Sequence, residues 1–179
     1  PEGKVWLEEL GNPKEDLNSL KKAIEDKDFG QVESIKNKFS MNLNFALFHA
    51  IEADEDAAIA MIENSQRLNL SLSETNENKR TPLIMACRLN KPKIANAILC
   101  QAKVQDIAIN AKDINGNTAF IYACRYGLTD IVAMMLEMAQ ELKIDLNAKT
   151  DSGKKTDARA STSLYSCSCC CCCSCCSAI

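Results

Sequence analysis

The sequence has 179 residues, of which 46% are hydrophobic, and this suffices for one compact domain with a buried core. Its 21 basic and 24 acidic residues give a formal net charge of -3, so the chain lacks the basic excess that binding to a phosphate backbone requires. It contains no run of about 18 apolar residues and opens on no signal-peptide pattern. We therefore expect neither a nucleic-acid partner nor a membrane-spanning helix.

Residues 1–12 are interpreted as the end of an upstream region or as a linker. The apolar residues between Val5 and Leu10, including Trp6, suit the last turns of a helix, and a Gly-Asn-Pro sequence at 11–13 would end it. The chain begins with Pro1 and not with Met. We expect that further residues, which could include a targeting segment, preceded it.

Two helix pairs are predicted between residues 13 and 62. Leu20 and Ala23, followed by an apolar pair at 32 and 35, indicate the first pair. Leu47 and Ala50, followed by an apolar run at 57–62, indicate the second. Only 27 residues separate Ala23 from Ala50, so the first unit has no room for the hairpin that connects the later ones.

A period of 37 residues governs the next part of the chain. Residues 79–88 align with residues 116–125, and an Asn-Ala-Lys sequence recurs with the same offset at 147–149. A fixed period of this size indicates stacked supersecondary units, each of which buries its apolar face against its neighbours. The second helix pair belongs to the same series, because Ala50 lies 36 residues before Ala86.

The fourth unit carries the motif most completely. It reads DINGNTAF at 113–120, and small or apolar residues follow at 123–124, 131–132 and 135–136. This pattern resembles the ankyrin repeat, without the family's histidine. Its Thr suits a helix cap, Pro in the third unit suits a first helical turn, and Gly116 suits the hairpin turn. The resemblance implies an all-α, ankyrin-type helical repeat solenoid with short hairpin connectors, with about four repeats between residues 13 and 156, the first two degenerate.

The repeating unit is longer than the common ankyrin length of about 33 residues. Segments 99–109 and 136–146 have helical apolar spacing without Gly or Pro, which predicts a second helix extended by about one turn. A short hydrophobic return at 107–109 would follow it. This arrangement departs from the loop of the family consensus.

Two further segments follow the fourth unit. Residues 151–156 indicate the start of another hairpin and helix, but no second helix follows. Residues 157–179 form a low-complexity Ser/Cys tail, with eight cysteines between 167 and 176. Such thiols could bind soft metal ions, accept acyl groups or form disulfides, whereas a misread nucleotide repeat or a cloning scar would give the same composition. We expect this tail to be disordered or artefactual.

The sequence offers no catalytic constellation, so we expect no enzyme activity, no cofactor and no metal. A nucleophile needs a base within reach, but the spacing of the one histidine, His49, pairs it with neither Cys87 nor Cys124. Both cysteines occupy the small-residue position of the repeat, and with Cys100 they are interpreted as reduced, core-filling thiols. Core positions are also assigned to Met134, Met135 and Met138.

The ankyrin resemblance implies binding to another protein through a concave side made of first helices and hairpin tips. The family's contact positions, carried over residue by residue, are Glu77, Asn78, Arg80, Arg88 and Leu89 in the third unit and Ile114, Asn115, Asn117, Arg125 and Tyr126 in the fourth. The matching helix ends of the degenerate units offer Glu25, Asp26 and Glu52. A face that is acidic at one end and basic at the other would fix a partner's orientation.

Three functions fit these features. The favoured one is a monomeric ankyrin repeat scaffold that binds a protein partner in the cytoplasm. The second is the targeting module of a larger enzyme, or of a secreted bacterial effector in the host cell cytosol, whose catalytic domain is absent from this chain. The third is a structural array that spaces other domains. The excess of Lys over Arg and the many Asn residues suit an AT-rich genome, as in an intracellular bacterium or a protist.

Overall fold

The structure is a computed structural model that describes residues 13–38, 43–102, 104–148 and 150. Within them the chain has eight helices and no strand, which confirms the all-α fold class. The proposed linker at 1–12, the start of a further unit at 151–156 and the tail at 157–179 lie outside the described residues. The helices are α1 (Pro13–Glu25), α2 (Phe29–Lys38), α3 (Leu43–Ala53), α4 (Glu55–Glu63), α5 (Pro82–Arg88), α6 (Pro92–Gln101), α7 (Ala119–Arg125) and α8 (Thr129–Glu137).

The eight helices form four pairs, because α1 packs on α2, α3 on α4, α5 on α6 and α7 on α8. First helices of the later pairs pack on one another, α3 on α5 and α5 on α7, and the second helices α4, α6 and α8 do the same. The first pair departs from this order, since α1 packs on α4. Glu25 and Asp26, at the end of α1, therefore do not continue the row that Glu52 begins at the end of α3.

The helices of the third and fourth units begin as the motif predicts. The side chains of Thr81 and Thr118 accept hydrogen bonds from backbone N–H groups in the first turns of α5 and α7, both at 3.3 Å. Asp54 caps α4 in the same way by accepting from Ala57 N–H at 3.0 Å. Gly116 has the predicted turn conformation, with φ at 72°, and Lys79 adopts the equivalent left-handed conformation one period earlier.

One predicted element, the extended second helix, differs from the structure. Helices α4, α6 and α8 are 9, 10 and 9 residues long, and the extra residues of each unit form a separate turn. Each turn is closed by a backbone hydrogen bond from residue i+4 to residue i, at 64–68, 101–105 and 138–142. The hydrophobic return is confirmed, because Ile107 and Ile109 are buried. The extra turn and the return together account for the long period.

Side chains in the loops between units hold the backbone of the next unit. After α4, the hydroxyl of Ser73 accepts from Ala108 N–H at 2.9 Å and donates to the Asp106 carbonyl at 3.1 Å. Ser73 thus makes both a donor and an acceptor contact across the interface. We call Ser73 and its counterpart 37 residues later, Asn110, the inter-unit clamps.

Asn110 makes the same two contacts one unit further along the stack. Its side-chain oxygen accepts from Asp145 N–H at 2.8 Å, and its amide donates to the Lys143 carbonyl at 2.8 Å. In the degenerate second unit, the side chain of Asn44 accepts the equivalent N–H group of Ser71 at 3.0 Å. The interfaces between the second and third units and between the third and fourth units are therefore connected in the same way, whereas Asn44 holds Ser71 from within α3.

The core is continuous along the stack. It includes Leu20 of α1, Leu47 of α3, Ile84 of α5, Ile98 of α6 and Phe120 of α7, each 2% exposed or less. The three methionines assigned to the core all contact it, and Met134 remains half-buried. None of the helices in the described part of the chain has the length and apolar character that are needed to span a bilayer.

Candidate protein-binding surface

The hairpin of the fourth unit is built around the side chain of Asp113. One carboxylate oxygen accepts hydrogen bonds from the backbone N–H groups of Asn115 and Asn117, both at 2.9 Å. Gly116 completes the turn, and its N–H donates to the Asp113 carbonyl at 2.9 Å. In the third unit the side-chain oxygen of Asn76 accepts the two equivalent N–H groups at 3.0 and 3.1 Å. Both hairpins are thus fixed by an acceptor at the same repeat position.

The two hairpins also contact each other. The backbone N–H of Ile114 donates to the carbonyl of Asn78 at 3.2 Å. The Arg80 Nε atom lies 3.8 Å from the second carboxylate oxygen of Asp113, in an ion pair longer than a hydrogen bond. These contacts give the hairpin tips of the third and fourth units fixed relative positions.

The carboxylate of Asp113 connects the hairpin to α7. Its side chain is fully buried, and the Tyr122 hydroxyl donates a hydrogen bond to it at 2.7 Å. Burial by itself would raise the pKa of Asp113, but the hydrogen bonds from Tyr122, Asn117 and Asn115 outweigh it and hold the pKa below its usual value. Asp113 is therefore ionised at neutral pH.

Tyr122 is buried at 4% exposure, and burial raises its pKa, as does its hydrogen bond to Asp113. Arg80 and Arg88 act in the opposite direction, which places their charges within electrostatic reach of the phenol. The hydroxyl consequently stays protonated at neutral pH and remains a donor to the carboxylate.

An aromatic and cationic stack covers this buried pair. The Arg125 guanidinium lies over the ring of Tyr122, with 5.4 Å from Cζ to the ring centroid, and donates to Asn117 Oδ1 at 3.2 Å. Tyr126 stacks on the other tyrosine, with centroids 6.2 Å apart and planes 7° from parallel. Arg125 and Tyr126 are thus exposed side chains with buried supports.

The structure divides the ten predicted contact residues into two groups. Asn117 is 5% exposed and Arg80 is mostly buried, so both lie beneath the surface and position other residues. The other eight are exposed or half-buried. We call them the hairpin–helix surface: Glu77, Asn78, Arg88, Leu89, Ile114, Asn115, Arg125 and Tyr126.

Sequence reasoning gave no site role to Asp113 or Tyr122, although they organise this surface. The period contained a usable signal. Asp113 and Tyr122 lie 37 residues after Asn76 and Met85, and the Asn76 side-chain amide lies 3.7 Å from the Met85 sulfur. An acceptor in the hairpin and its neighbour in the helix therefore recur as a pair. In the fourth unit the acceptor is an ionised carboxylate, and the neighbour, Tyr122, donates a hydrogen bond to it.

The nucleophile candidates have different surroundings. Cys87 is fully buried, and burial, together with the neighbouring Cys124, raises its pKa to about 12. Cys124 is half-buried against the core. Cys100 is exposed, so its interpretation as a core-filling thiol is wrong. His49 is half-buried in α3. Among the described residues, no three or more His, Cys, Asp or Glu side chains form a group that could hold a metal ion.

Comparison with known proteins identifies one family. Residues 69–150 match the family model for ankyrin repeats, with three copies. This range includes the third and fourth units and therefore the whole hairpin–helix surface. No curated protein sequence matches the chain.

Proposed function

Residues 69–150 belong to the ankyrin repeat family, and from this membership we propose that the chain is a scaffold that binds another protein through the hairpin–helix surface. Ankyrin repeats are generally protein-interaction modules. Beyond the family membership, we propose where the binding site lies and that the partner is a protein.

The observation that supports this site most strongly is the exposed pair Arg125 and Tyr126 on a buried network. Tyr126 is 47% exposed, and Ile114, at the neighbouring hairpin tip, is 51% exposed. Arginine and tyrosine are enriched among residues that dominate binding energy. Because their supports fix both side chains before binding, little conformational entropy remains to be lost when a partner binds.

We further propose that the repeats have no catalytic activity of their own, as is typical of the family. The Cys87 thiol is protonated at neutral pH, with a pKa of about 12, whereas a nucleophilic cysteine needs a depressed pKa. The repeats would then act as an independent scaffold, or deliver a catalytic domain elsewhere in a longer protein.

The proposed location is the reducing cytosol, of the producing cell or of a host cell if the protein is an effector. An exposed thiol such as Cys100 is compatible with a compartment that keeps thiols reduced. We propose a monomer without affinity for nucleic acid, in line with the net charge of -3.

The test is affinity capture from cytosol with the wild-type chain and with Tyr126→Ala and Arg125→Glu, followed by calorimetry on the captured protein. Each substitution is expected to weaken the complex by about 2 kcal/mol or more, as central anchors do. Circular dichroism would verify that each variant stays helical.

Lys93→Glu is the matched control, because it makes the same change of charge on α6. Lys93 is exposed and pairs with Glu55 at 3.3 Å, a surface ion pair whose loss costs less than about 1 kcal/mol. This control should bind like the wild type. Unchanged dissociation constants for Tyr126→Ala and Arg125→Glu would place the interface elsewhere.

A further inference from the structure

Arg88 and Arg125 provide positive charge that no acidic side chain of the described residues neutralises by an ion pair. Ion pairs among those residues are made by Lys21, Arg80 and Lys93, and neither Arg88 nor Arg125 takes part in them. The Arg80 charge is balanced by buried Asp113. The other two arginines occupy the same position of successive units, at the ends of the packed helices α5 and α7.

These two positions can act on one bound segment. Packed helices lie about 8–10 Å apart, so a single extended segment can reach both helix ends. Arg125 is held by the Tyr122 ring and by Asn117, and one side-chain amide acceptor occupies only one of its five N–H donors. The Arg125 guanidinium is therefore held in place and has N–H donors left for a ligand.

The charge along the row of first helices changes sign. The residue that matches Arg88 and Arg125 in the second unit is Glu52, which is exposed at the end of α3. At that position a carboxylate lies beside the Lys91 ammonium, which donates to the Glu52 carbonyl at 3.3 Å, whereas the next two positions carry arginine. This pattern favours binding of an anion at the third and fourth units.

Apolar side chains lie beside the two arginines. Tyr126 follows Arg125 in the chain and is 47% exposed, and half-buried Leu89 has the same place beside Arg88. Ile114 adds an exposed apolar side chain on a hairpin tip that is fixed by its backbone hydrogen bond to Asn78. A ligand for this surface needs apolar as well as anionic groups.

We propose that the hairpin–helix surface binds an acidic segment of its protein partner, in which an aspartate or glutamate carboxylate lies between Arg88 and Arg125 and an adjacent apolar side chain packs on Tyr126. This inference rests on the proposed function and specifies the chemistry of the partner. A nucleic acid fits less well, because the chain has a net charge of -3 and lacks the basic excess that binding to a phosphate backbone requires.

The experiment selects peptides from a random 12-residue phage-display library with the full chain as bait. Peptides that are eluted by competition are synthesised, and their dissociation constants are measured for the wild type, Arg125→Glu, Arg125→Lys, Tyr126→Ala and the control Lys93→Glu. The expected peptides carry Asp or Glu next to Leu, Ile, Phe or Trp. Arg125→Glu and Tyr126→Ala should each weaken binding about tenfold or more, while Lys93→Glu changes it less than about twofold.

A charge exchange makes the test specific to the ion pair. Replacing the acidic residue of a selected peptide by Lys should weaken binding to the wild type and restore binding to Arg125→Glu. Arg125→Lys keeps the charge but loses the planar guanidinium, so we expect an intermediate affinity for the acidic peptide. A fluorescent 20-base-pair DNA duplex serves as the nucleic-acid probe and should bind neither protein.

The outcomes separate this inference from the proposed function. Selected peptides that lack acidic residues and are lost in Tyr126→Ala but not in Arg125→Glu would overturn the acidic segment and leave the protein-binding surface in place. Failure to select any peptide that depends on either residue would overturn both. DNA binding that Arg125→Glu abolishes would assign the arginines to nucleic acid.

Discussion

The carboxylate of Asp113 is buried and yet ionised, because two backbone N–H groups, the Tyr122 hydroxyl and the Asn117 amide all donate to it. Removing its charge leaves these donors, and the Arg80 guanidinium, with a weaker acceptor. We expect Asp113→Asn to lower the free energy of unfolding by about 1–3 kcal/mol. Denaturant titration at pH 7 measures the loss.

The neighbouring unit provides a matched variant. Because Asn76 and Met85 occupy the equivalent positions, Asp113→Asn with Tyr122→Met recreates the side-chain pair of the third unit. The double variant should lose less unfolding free energy than the sum of the losses in the two single variants, as expected for residues in contact. Additive losses would show that Asp113 and Tyr122 act independently.

The contribution of Asp113 to the free energy of unfolding should also depend on pH. Its folded-state pKa is lowered, so its contribution is fully present above the unfolded pKa of about 3.9 and is lost as pH falls through the folded pKa. The stability difference between wild type and Asp113→Asn should therefore narrow below about pH 4. A difference that stays constant from pH 7 to pH 2 would contradict an ionised, hydrogen-bonded carboxylate.

Cys87 tests whether size or sulfur determines the residue at the small position of α5. The side chain is fully buried in the core. We expect Cys87→Ala to be tolerated, because the family motif has Ala there, and Cys87→Leu to cost about 1–3 kcal/mol through overpacking. Equal losses in a denaturant titration would indicate a specific role of the thiol.

Helix starts were predicted from the sequence better than helix ends. Thr81 and Thr118 cap their helices by accepting a hydrogen bond from an N–H group three residues later. Because this contact is local, the sequence motif was sufficient to predict where these helices begin. The second helices end earlier than predicted because apolar spacing at 99–109 and 136–146 does not distinguish a continuous helix from a helix followed by a separate turn. The packing of α1 on α4 was also not predicted, because in the later units each first helix packs on the first helix of the next unit.

The inter-unit clamps should stabilise the interfaces that they bridge. Asn110→Ala removes a donor and an acceptor across the interface between the third and fourth units, and we expect a loss of about 1–3 kcal/mol. Asn110→Ser should lose less, since Ser makes the equivalent contacts at position 73.

The measurement for the clamp variants is thermal and denaturant unfolding of the full chain. Asn96→Ala is the control, because Asn96 is exposed on α6 and its side chain accepts from Cys100 in the same helix, not across a unit interface. A loss for Asn96→Ala as large as that for Asn110→Ala would mean that the clamp adds nothing beyond removal of an exposed amide.

Among the four helix pairs that the structure describes, we expect the first pair to open first. Among the side chains that the structure describes in α2, Val32 alone is buried, whereas α5 buries six residues. In a repeat array, stability is carried by contacts between neighbours, so poorly packed end helices open first. We expect amide hydrogen exchange to be fastest in α2 and slowest in α5 and α7. Uniform protection across all helices would indicate a single cooperative unit.

The period and the family motif together predicted the stacked architecture and the positions of Arg125 and Tyr126. The network beneath them was not predicted, because Asp113 and Tyr122 are nine residues apart and only the fold brings the carboxylate to the hydroxyl. Asn117 was likewise not predicted to be buried, because its burial also depends on contacts that only the fold creates. Residue spacing identifies the positions that face the same side of the stack. It does not show which of these residues are buried beneath other side chains.

The inter-unit clamps also bear on how a gene for such a protein can change length. Ser73 and Asn110 occupy the same place in successive units, and each holds the loop that follows it by one accepted and one donated hydrogen bond. Deleting the 37 codons for residues 74–110 would bring Ser73 to the position of Asn110, in front of the backbone of Lys143 and Asp145. The junction would keep its donor and its acceptor. An in-frame loss or duplication of one unit therefore preserves this pair of inter-unit hydrogen bonds.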